Sequence, residues 1–290
     1  MVTYHSAAKI NLFLEVEGAL SDGYHCLVSV MQSVSLFDRL DFDFERRNFS
    51  LSLKNPSLDL GPVETNIITR CWRLMKDRFD LPDEVAVTVE KQIPVGAGLA
   101  GGSGNGAALL HAVNDYFQLG LSLEHLAQLG EEIGADVPFC VCGGTMLARG
   151  KGEILHSLPP LPDTDILLVN GGFPVSTANV FRRFDALPSM EEKPSVDAMI
   201  RGLELKDISI VRSCLFNDLE RVTIPMYPSL TELKKRMVSL GLNSLMSGSG
   251  PTVFSLVDQD EAIRIQRCWQ DSWETLFRCK PVGQGVFRKE

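Results

Sequence analysis

The sequence lacks net positive charge: 28 Lys and Arg stand against 37 Asp and Glu, a formal charge of −9. A field of that sign repels polyanions, so general nucleic-acid binding is not expected. A small phosphorylated ligand is not excluded, because backbone N–H groups and a few local cations can hold one phosphate chain. Long apolar runs are also missing, and no N-terminal stretch has signal-peptide character, so neither a membrane span nor secretion is expected. Cysteine is present but unpatterned. Seven are scattered from Cys26 to Cys279, and Cys140 with Cys142 forms a C-x-C pair with no second pair at zinc spacing. Such a set reads as the reduced thiols of a cytoplasmic protein. An uncleaved transit peptide is not expected. Four of the five histidines, His5, His111, His125 and His156, fall in no ligand pattern and read as solvated or core residues. Internal repeats and low-complexity segments are absent.

What is present is an ordinary globular composition, 44% apolar and 22% charged over 290 residues, long enough for two domains. Ser6 to Val16 reads as a strand, followed by a turn at Ser21-Asp-Gly-Tyr-His. Val28 to Phe44 reads as further strand, broken near Asp38. Ile67, Cys71, Leu74 and Met75 have helical spacing within a helix from Asn66 to Phe79. Val85 to Glu90 alternates as a strand. A glycine-rich loop leads to an apolar helix from about Gly104, and a further helix from Ser122 to Ile133 has Ser122 as its N-cap. Three prolines within Leu158-Pro-Pro-Leu-Pro-Asp can continue neither a helix nor a central strand. They place the expected domain boundary there, giving 1–158 and 159–290. Beyond it, strands and helices mix irregularly, which argues for an α+β class over a strict βαβ series.

The most informative segment is Pro94-Val-Gly-Ala-Gly-Leu-Ala-Gly-Gly-Ser-Gly-Asn-Gly, with six glycines from Gly96 to Gly106. Glycine lets several backbone N–H groups approach a phosphate, and the following helix points its positive end at the same place. Gly96-x-Gly98-x-x-Gly101 matches a dinucleotide fingerprint only formally. Lys91-Gln-Ile-Pro separates it from the preceding strand, and no acidic residue closes a following strand. No Gly-Lys-Ser/Thr precedes the helix, so it is not a P-loop either. A ligand-free packing turn is the plainer reading, but six flexible glycines need a reason that phosphate approach supplies.

This loop resembles the ATP loop of the GHMP kinases. Ala7-Ala-Lys-Ile-Asn-Leu-Phe-Leu resembles their first motif and Ser247-Gly-Ser-Gly-Pro-Thr-Val-Phe their third, in the expected order. Asp22-Gly-Tyr-His and Gly134-Ala-Asp-Val-Pro-Phe narrow the resemblance to the family that phosphorylates 4-diphosphocytidyl-2-C-methyl-D-erythritol in isoprenoid precursor synthesis. The resemblance implies a two-domain α+β GHMP kinase fold, ribosomal-protein-S5-domain-2-like at the N-terminus and ferredoxin-like at the C-terminus. ATP, Mg2+ and a small cytidine diphosphate conjugate would meet between the domains, with no nucleic acid or membrane partner.

The resemblance also implies roles. Asp136 resembles the family's catalytic base; on spacing alone it would merely cap a helix. Lys9 resembles its partner cation, against a solvated strand lysine, and Asn11 shares Lys9's face by period two, which places it to bind the substrate by orienting acceptor hydroxyls. Asn66, Lys91, Pro94, Gly96, Gly98, Leu99, Gly101, Gly102, Ser103 and Gly104 match ATP-binding positions, with Ser103 a candidate magnesium contact; the plain reading of Lys91 is a surface charge. Tyr24 and His25 resemble a cytosine-binding pair, against a bare turn, and Phe181 resembles the aromatic on the other face, against a core phenylalanine. Gly248, Ser249 and Gly250 match acceptor-binding positions. The family's usual Gly-Gly-Ser-Ser-Asn-Ala-Ala reads Gly-Gly-Ser-Gly-Asn-Gly-Ala-Ala here, so Gly104 replaces a serine and Gly106 an alanine. Both changes are expected to loosen the first helical turn. Alternatives are a GHMP kinase for mevalonate or homoserine, or a non-catalytic ligand sensor of the same fold.

Overall fold

The computed structural model describes the chain except residues 22, 47, 56, 57, 59, 83, 84, 189, 191, 270–273 and 290, so Asp22 of the early turn lies outside the described residues. The first half contains β1 (Val2–Ala19), β2 (His25–Asp43), β3 (Ser50–Leu53), α1 (Ile67–Phe79), β4 (Ala86–Glu90), α2 (Gly101–Tyr116), α3 (Leu123–Glu131), α4 (Val137–Cys142), β5 (Thr145–Arg149) and β6 (Ile154–Ser157). The second contains β7 (Asp165–Asn170), α5 (Thr177–Phe184), α6 (Val196–Glu204), α7 (Ile208–Ser213), β8 (Phe216–Asn217), α8 (Glu220–Met226), α9 (Pro228–Ser239), β9 (Ser244–Met246), β10 (Val253–Val257), α10 (Gln259–Cys268), β11 (Thr275–Cys279) and β12 (Val286–Lys289).

Two sheets carry the molecule. In the larger, the strand order is β12-β1-β2-β4-β3, with β5 and β6 extending from β2 and β8 beside β1; the smaller is β11-β7-β10-β9. Helices α1 to α4 cover the larger sheet, and Ile68, Cys71, Trp72 and Met75 drive the core stripe of α1. Trp72 and Ile68 sit deeper than the expected Ile67 and Leu74, which pack at the margin. Residues 158–162 form neither helix nor strand, while β8 and β12 return from the second half to pair with β1. The division at residue 158 remains a proposal.

Two expectations change. The strand expected to break near Asp38 is continuous. The irregularity nearest Asp38 is a bulge between the Ala7–Phe37 and Ala8–Val34 pairs, and Asp38 stays in register opposite Ser6. The helix expected from Gly104 begins at Gly101, so Gly101 to Gly104 form its first turn. The two family departures then have a packing explanation. A Cβ on Gly106 would lie 2.5 Å from Ile67 Cγ2 and 3.0 Å from Cys71 Sγ, and one on Gly104 would lie 3.3 Å from Ser6 Cβ. The glycines let α2 lie close against α1 and β1.

Lys91, expected at an ATP-binding position with a surface charge as its plainer reading, is internal. Lys91 pairs with the fully buried Asp38 and donates to Asn105 Oδ1 at 3.1 Å. Asp38 also accepts from the backbone N–H groups of Gln92 and Ile93 at 2.8 and 2.9 Å and from Asn105 Nδ2 at 2.9 Å. Asn105 donates onward to Ser6 Oγ at 3.0 Å. One carboxylate thus ties β2 to the start of the glycine loop and to α2.

Removing one partner of a buried pair strands the other charge, so Asp38→Asn should destabilise the protein by about 3–5 kcal/mol. Lys91→Met added to it should cost little more, because the stranded charge is gone. A urea-unfolding double-mutant cycle checks this; additive losses would mean the two groups do not act as a pair. Gly106→Ala should cost about 1–2 kcal/mol through overpacking. In an Ile67→Ala background it should be neutral or stabilising, because alanine is the better helix former by about 1 kcal/mol. An equal loss in both backgrounds would contradict the close approach to Ile67.

Candidate active site

A cavity of about 1160 Å³ opens between the two halves. It is lined from the first half by Lys9, Asn11, Tyr24, His25, Asn66, Lys91, the loop from Pro94 and Asp136, and from the second by Phe181, Gly248 and Ser249.

β1 supplies its floor. One edge of β1 pairs with β12 over Thr3 to Ser6 and with β8 at Phe13 and Leu14. In the gap between them, Ala7 N–H donates to Gly285 O at 2.8 Å and Lys9 N–H to Leu99 O at 3.1 Å. The glycine loop therefore completes the sheet edge at the residue that carries the lysine. Lys9 is buried and donates to Asn11 Oδ1 at 2.7 Å; Asn11 Nδ2 donates to Ser29 Oγ at 2.8 Å, which donates to Phe13 O at 2.6 Å. The solvated-lysine reading is excluded, and Asn11, on the same strand face, accepts from the ammonium.

The loop is held from the other side by the second glycine turn. Ser247 Oγ donates to Gly98 O at 2.9 Å, and Thr252 N–H to Ala97 O at 3.4 Å. Gly98 has φ +73°, and a Cβ on it would collide with Ser247 O. Here glycine is required by both conformation and contact. Gly248 and Gly250 also have positive φ, and a Cβ on Gly248 would lie 3.5 Å from Lys9 Nζ. Asn217 Nδ2 donates to Gly248 O at 2.8 Å, and Ser249 Oγ lies 2.8 Å from Thr177 Oγ1.

α2 begins without a side-chain cap: Ala100, at φ 54°, occupies the N-cap position. Uncapped N–H groups at the start of a 16-residue helix, beside the cavity-lining Gly101, Gly102 and Ser103, suit a phosphate. Pro94 and Gly96 line the approach, while Leu99 is buried beneath it. Asn66 also lines the cavity, but its Oδ1 caps α1 by accepting from Ile68 N–H at 3.0 Å. Lys91 lines it with its ammonium committed to Asp38 and Asn105.

Asp136 occupies the N-cap position of α4 yet makes no capping hydrogen bond, so the cap role leaves its carboxylate unspent. Burial pushes the neighbouring Cys140 thiol up, and Asp136 adds to that rise while Lys9 opposes it, so both charges act at one spot. The cysteines are free, and burial raises Cys71 and Cys279 to about 12, which leaves those thiols inert.

At the far end, Tyr24 is 56% exposed, with Lys151 Nζ 4.7 Å from its ring centroid. His25 is buried and stacks on Phe181, with centroids 4.7 Å apart and planes at 29°. Its Nε2 lies 2.6 Å from Asp185 Oδ1. Sequence reasoning missed Asp38 and Asp185. Asp38 gives no spacing signal, whereas Asp185 lies one helical turn beyond Phe181 and was accessible to i,i+4 reasoning.

Residues 66–144 match the model of the GHMP kinase N-terminal domain, and residues 199–275 that of the C-terminal domain. The chain is 42% identical over 266 residues to the 4-diphosphocytidyl-2-C-methyl-D-erythritol kinase of Pelotomaculum thermopropionicum, covering 91% of this chain and 92% of the relative. It is 40% identical over 288 residues to that of Lachnoclostridium phytofermentans, covering 99% and 96%. Among solved structures, a 4-(cytidine 5'-diphospho)-2C-methyl-D-erythritol kinase superposes with a TM-score of 0.78 at 32% identity, covering 97% of this chain and 99% of the other. A homoserine kinase from Cytophaga hutchinsonii also reaches 0.78, covering 99% and 97%, but at 17% identity, which speaks for the fold alone. Three ordered motifs, a cavity lined by all of them and relatives matched over nearly their whole length lead to one conclusion: this chain belongs to the 4-diphosphocytidyl-2-C-methyl-D-erythritol kinase family of the GHMP kinases.

Proposed function

We propose that the chain transfers the γ-phosphoryl group of ATP to the hydroxyl at carbon 2 of 4-diphosphocytidyl-2-C-methyl-D-erythritol, a step of isoprenoid precursor synthesis. The observation that carries this reading is the single cavity. It joins the phosphate-suited start of α2, the Lys9 and Asp136 charges and the His25–Phe181 aromatic end. Sharing one cleft lets donor and acceptor be held in line.

The N–H groups of the first α2 turn hold the nucleotide phosphates. Asp136 accepts the proton of the acceptor hydroxyl as its oxygen attacks phosphorus. Lys9, aimed by Asn11, stabilises the charge that develops between the two oxygens. Gly248 and Ser249 line the wall near Lys9, where the methylerythritol unit would lie, and Gly250 supports the turn behind them against Met246 and Thr223. Tyr24, His25 and Phe181 receive the cytosine. Among the described residues no group of three or more His, Cys, Asp or Glu stands ready to hold a metal ion. Mg2+ fits this site as a companion of the ATP phosphates, with Ser103 and Asp136 lining the same space. When bound it neutralises charge on the phosphate oxygens. Among the described residues no helix is long and apolar enough to cross a membrane. A cytoplasmic location is proposed from the composition.

Asp136→Asn should lower kcat by roughly 10²–10⁴ while ATP affinity persists, as expected for loss of a general base. A coupled ADP-release assay with the cytidine conjugate measures the first and calorimetry with an ATP analogue the second. Near wild-type turnover would remove Asp136 from the chemistry, and phosphorylation of mevalonate or homoserine in place of the conjugate would remove the proposed acceptor. Ser103→Ala should raise KM for Mg–ATP several-fold and leave KM for the acceptor in place, because Ser103 lies in the first turn of α2. The reverse pattern would put the nucleotide elsewhere in the cavity.

A further inference from the structure

α5 grips His25 at two points. Phe181 lies in α5 and Asp185 is its C-cap residue, four positions later, so the two side chains fall on one helix face. The Phe181 ring stacks on the imidazole, and the Asp185 carboxylate meets Nε2 at 2.6 Å. The imidazole is almost wholly enclosed, with 7% of its side chain exposed, while Asp185 is 47% exposed and reaches in from the rim. Both lines of contact come from one short element, so the ring can neither tilt off Phe181 nor turn over without breaking the contact with Asp185.

A carboxylate accepts hydrogen bonds and does not donate them. It therefore stabilises the tautomer with the proton on Nε2, and in a neutral imidazole Nδ1 is then a lone-pair acceptor. Among the described residues Nδ1 has no hydrogen-bond partner, and His25 lines the cavity. An acceptor there suits the exocyclic amino group of cytosine. It opposes the carbonyl oxygen that uracil carries at the same ring position, where two lone pairs would face each other. A histidine free to choose its tautomer would serve either base.

We infer that Asp185 is a positioning residue that makes the site selective for a cytidine conjugate over a uridine conjugate by holding His25 in the Nε2–H form. The inference rests on the acceptor proposed above and adds the residue that gives that acceptor's base its specificity. Asp185 acts through His25 and needs no contact with the substrate.

The experiment compares kcat/KM for the cytidine and uridine conjugates in wild type, Asp185→Asn, Asp185→Glu and His25→Ala at pH 8, above the ordinary imidazole range. The wild type should favour the cytidine conjugate by roughly ten- to a hundredfold, the scale of one mispaired buried polar group. Asp185→Asn offers either an oxygen or an amino group to Nε2, so it should bring the ratio to within about threefold. The change should lie in KM for the conjugate, with KM for ATP unmoved as a control for folding. Asp185→Glu keeps an acceptor-only group and should restore much of the preference; His25→Ala should abolish it. Long-range 15N–1H NMR of His25 reads the tautomer directly and should show Nε2–H in wild type and a mixture in Asp185→Asn. A retained preference or an unchanged tautomer in Asp185→Asn overturns the role of Asp185 and leaves the kinase reading intact. Equal use of both conjugates by the wild type overturns the base-reading role while phosphoryl transfer to the conjugate stands. No turnover of either conjugate, with turnover of another alcohol, overturns the proposed acceptor and this assignment together.

Discussion

The Asp38 carboxylate is the constraint on which the glycine-loop side of the cavity depends. It is fully buried, and its partners come from two places in the chain: the Lys91 ammonium with the Gln92 and Ile93 N–H groups, and the Asn105 amide. A buried charge persists only where such partners converge, and removing any of them leaves an uncompensated group. The convergence holds the entry to the glycine loop and the second turn of α2 at one point beneath β1. Everything between them, from Pro94 to Asn105, must then close a short span. That span becomes the rim of the cavity. The buried pair gives the glycine segment a defined place.

Close approach sets the rest of the architecture. Gly98 lies against Ser247, Gly104 against Ser6 and Gly106 against Ile67, at positions where a side chain would collide or crowd. Two of these contacts settle α2 into its groove; the third joins the two halves. The loop also completes the edge of β1 through Lys9 N–H and Leu99 O. Placement of the lysine and placement of α2 are therefore one structural event. A shift of the glycine turn at 247–250 would be felt at Gly98, and through Leu99 at the strand that carries Lys9.

Much of this was legible in the sequence because it is local. Glycine density, a strand with lysine and asparagine two apart, and the helical stripe of α1 depend on neighbours along the chain. The start of α2 was misplaced by three residues because glycine propensity argues against a helix where tertiary packing imposes one. The continuity of β2 through Asp38 was missed for a similar reason: a charged residue in an apolar run looks like a break until its partners, 53 to 67 positions away, are known. Lys91 was open to two readings, and neither included a buried ion pair. The aromatic end was partly readable. Tyr24, His25 and Phe181 do line one cavity, but that Phe181 stacks on His25 depends on how α5 docks, which no short-range pattern encodes.

A chain of formal charge −9 must still hold an ATP and a diphosphate conjugate, both polyanions. The solution visible here is to concentrate the favourable field and spend the unfavourable one elsewhere. Several of the carboxylates are already engaged: Asp38 by Lys91, Asp165 by Arg278, and Asp218 by Lys193. Around the cavity stand the Lys9 ammonium, Lys151 at the Tyr24 ring, Arg182 on α5 and the bare N–H groups at the start of α2. Within a partly enclosed space these act at short range and low effective dielectric, whereas the remote surface charges are screened over about 8–10 Å of saline. The global sign then discourages long polyanions such as nucleic acid, which must lie across the acidic exterior. A compact phosphate ester that fits the cavity meets mainly the local cations. Net charge and binding site are thus not in conflict: the unfavourable field is remote and screened, and the favourable one is local to the cavity.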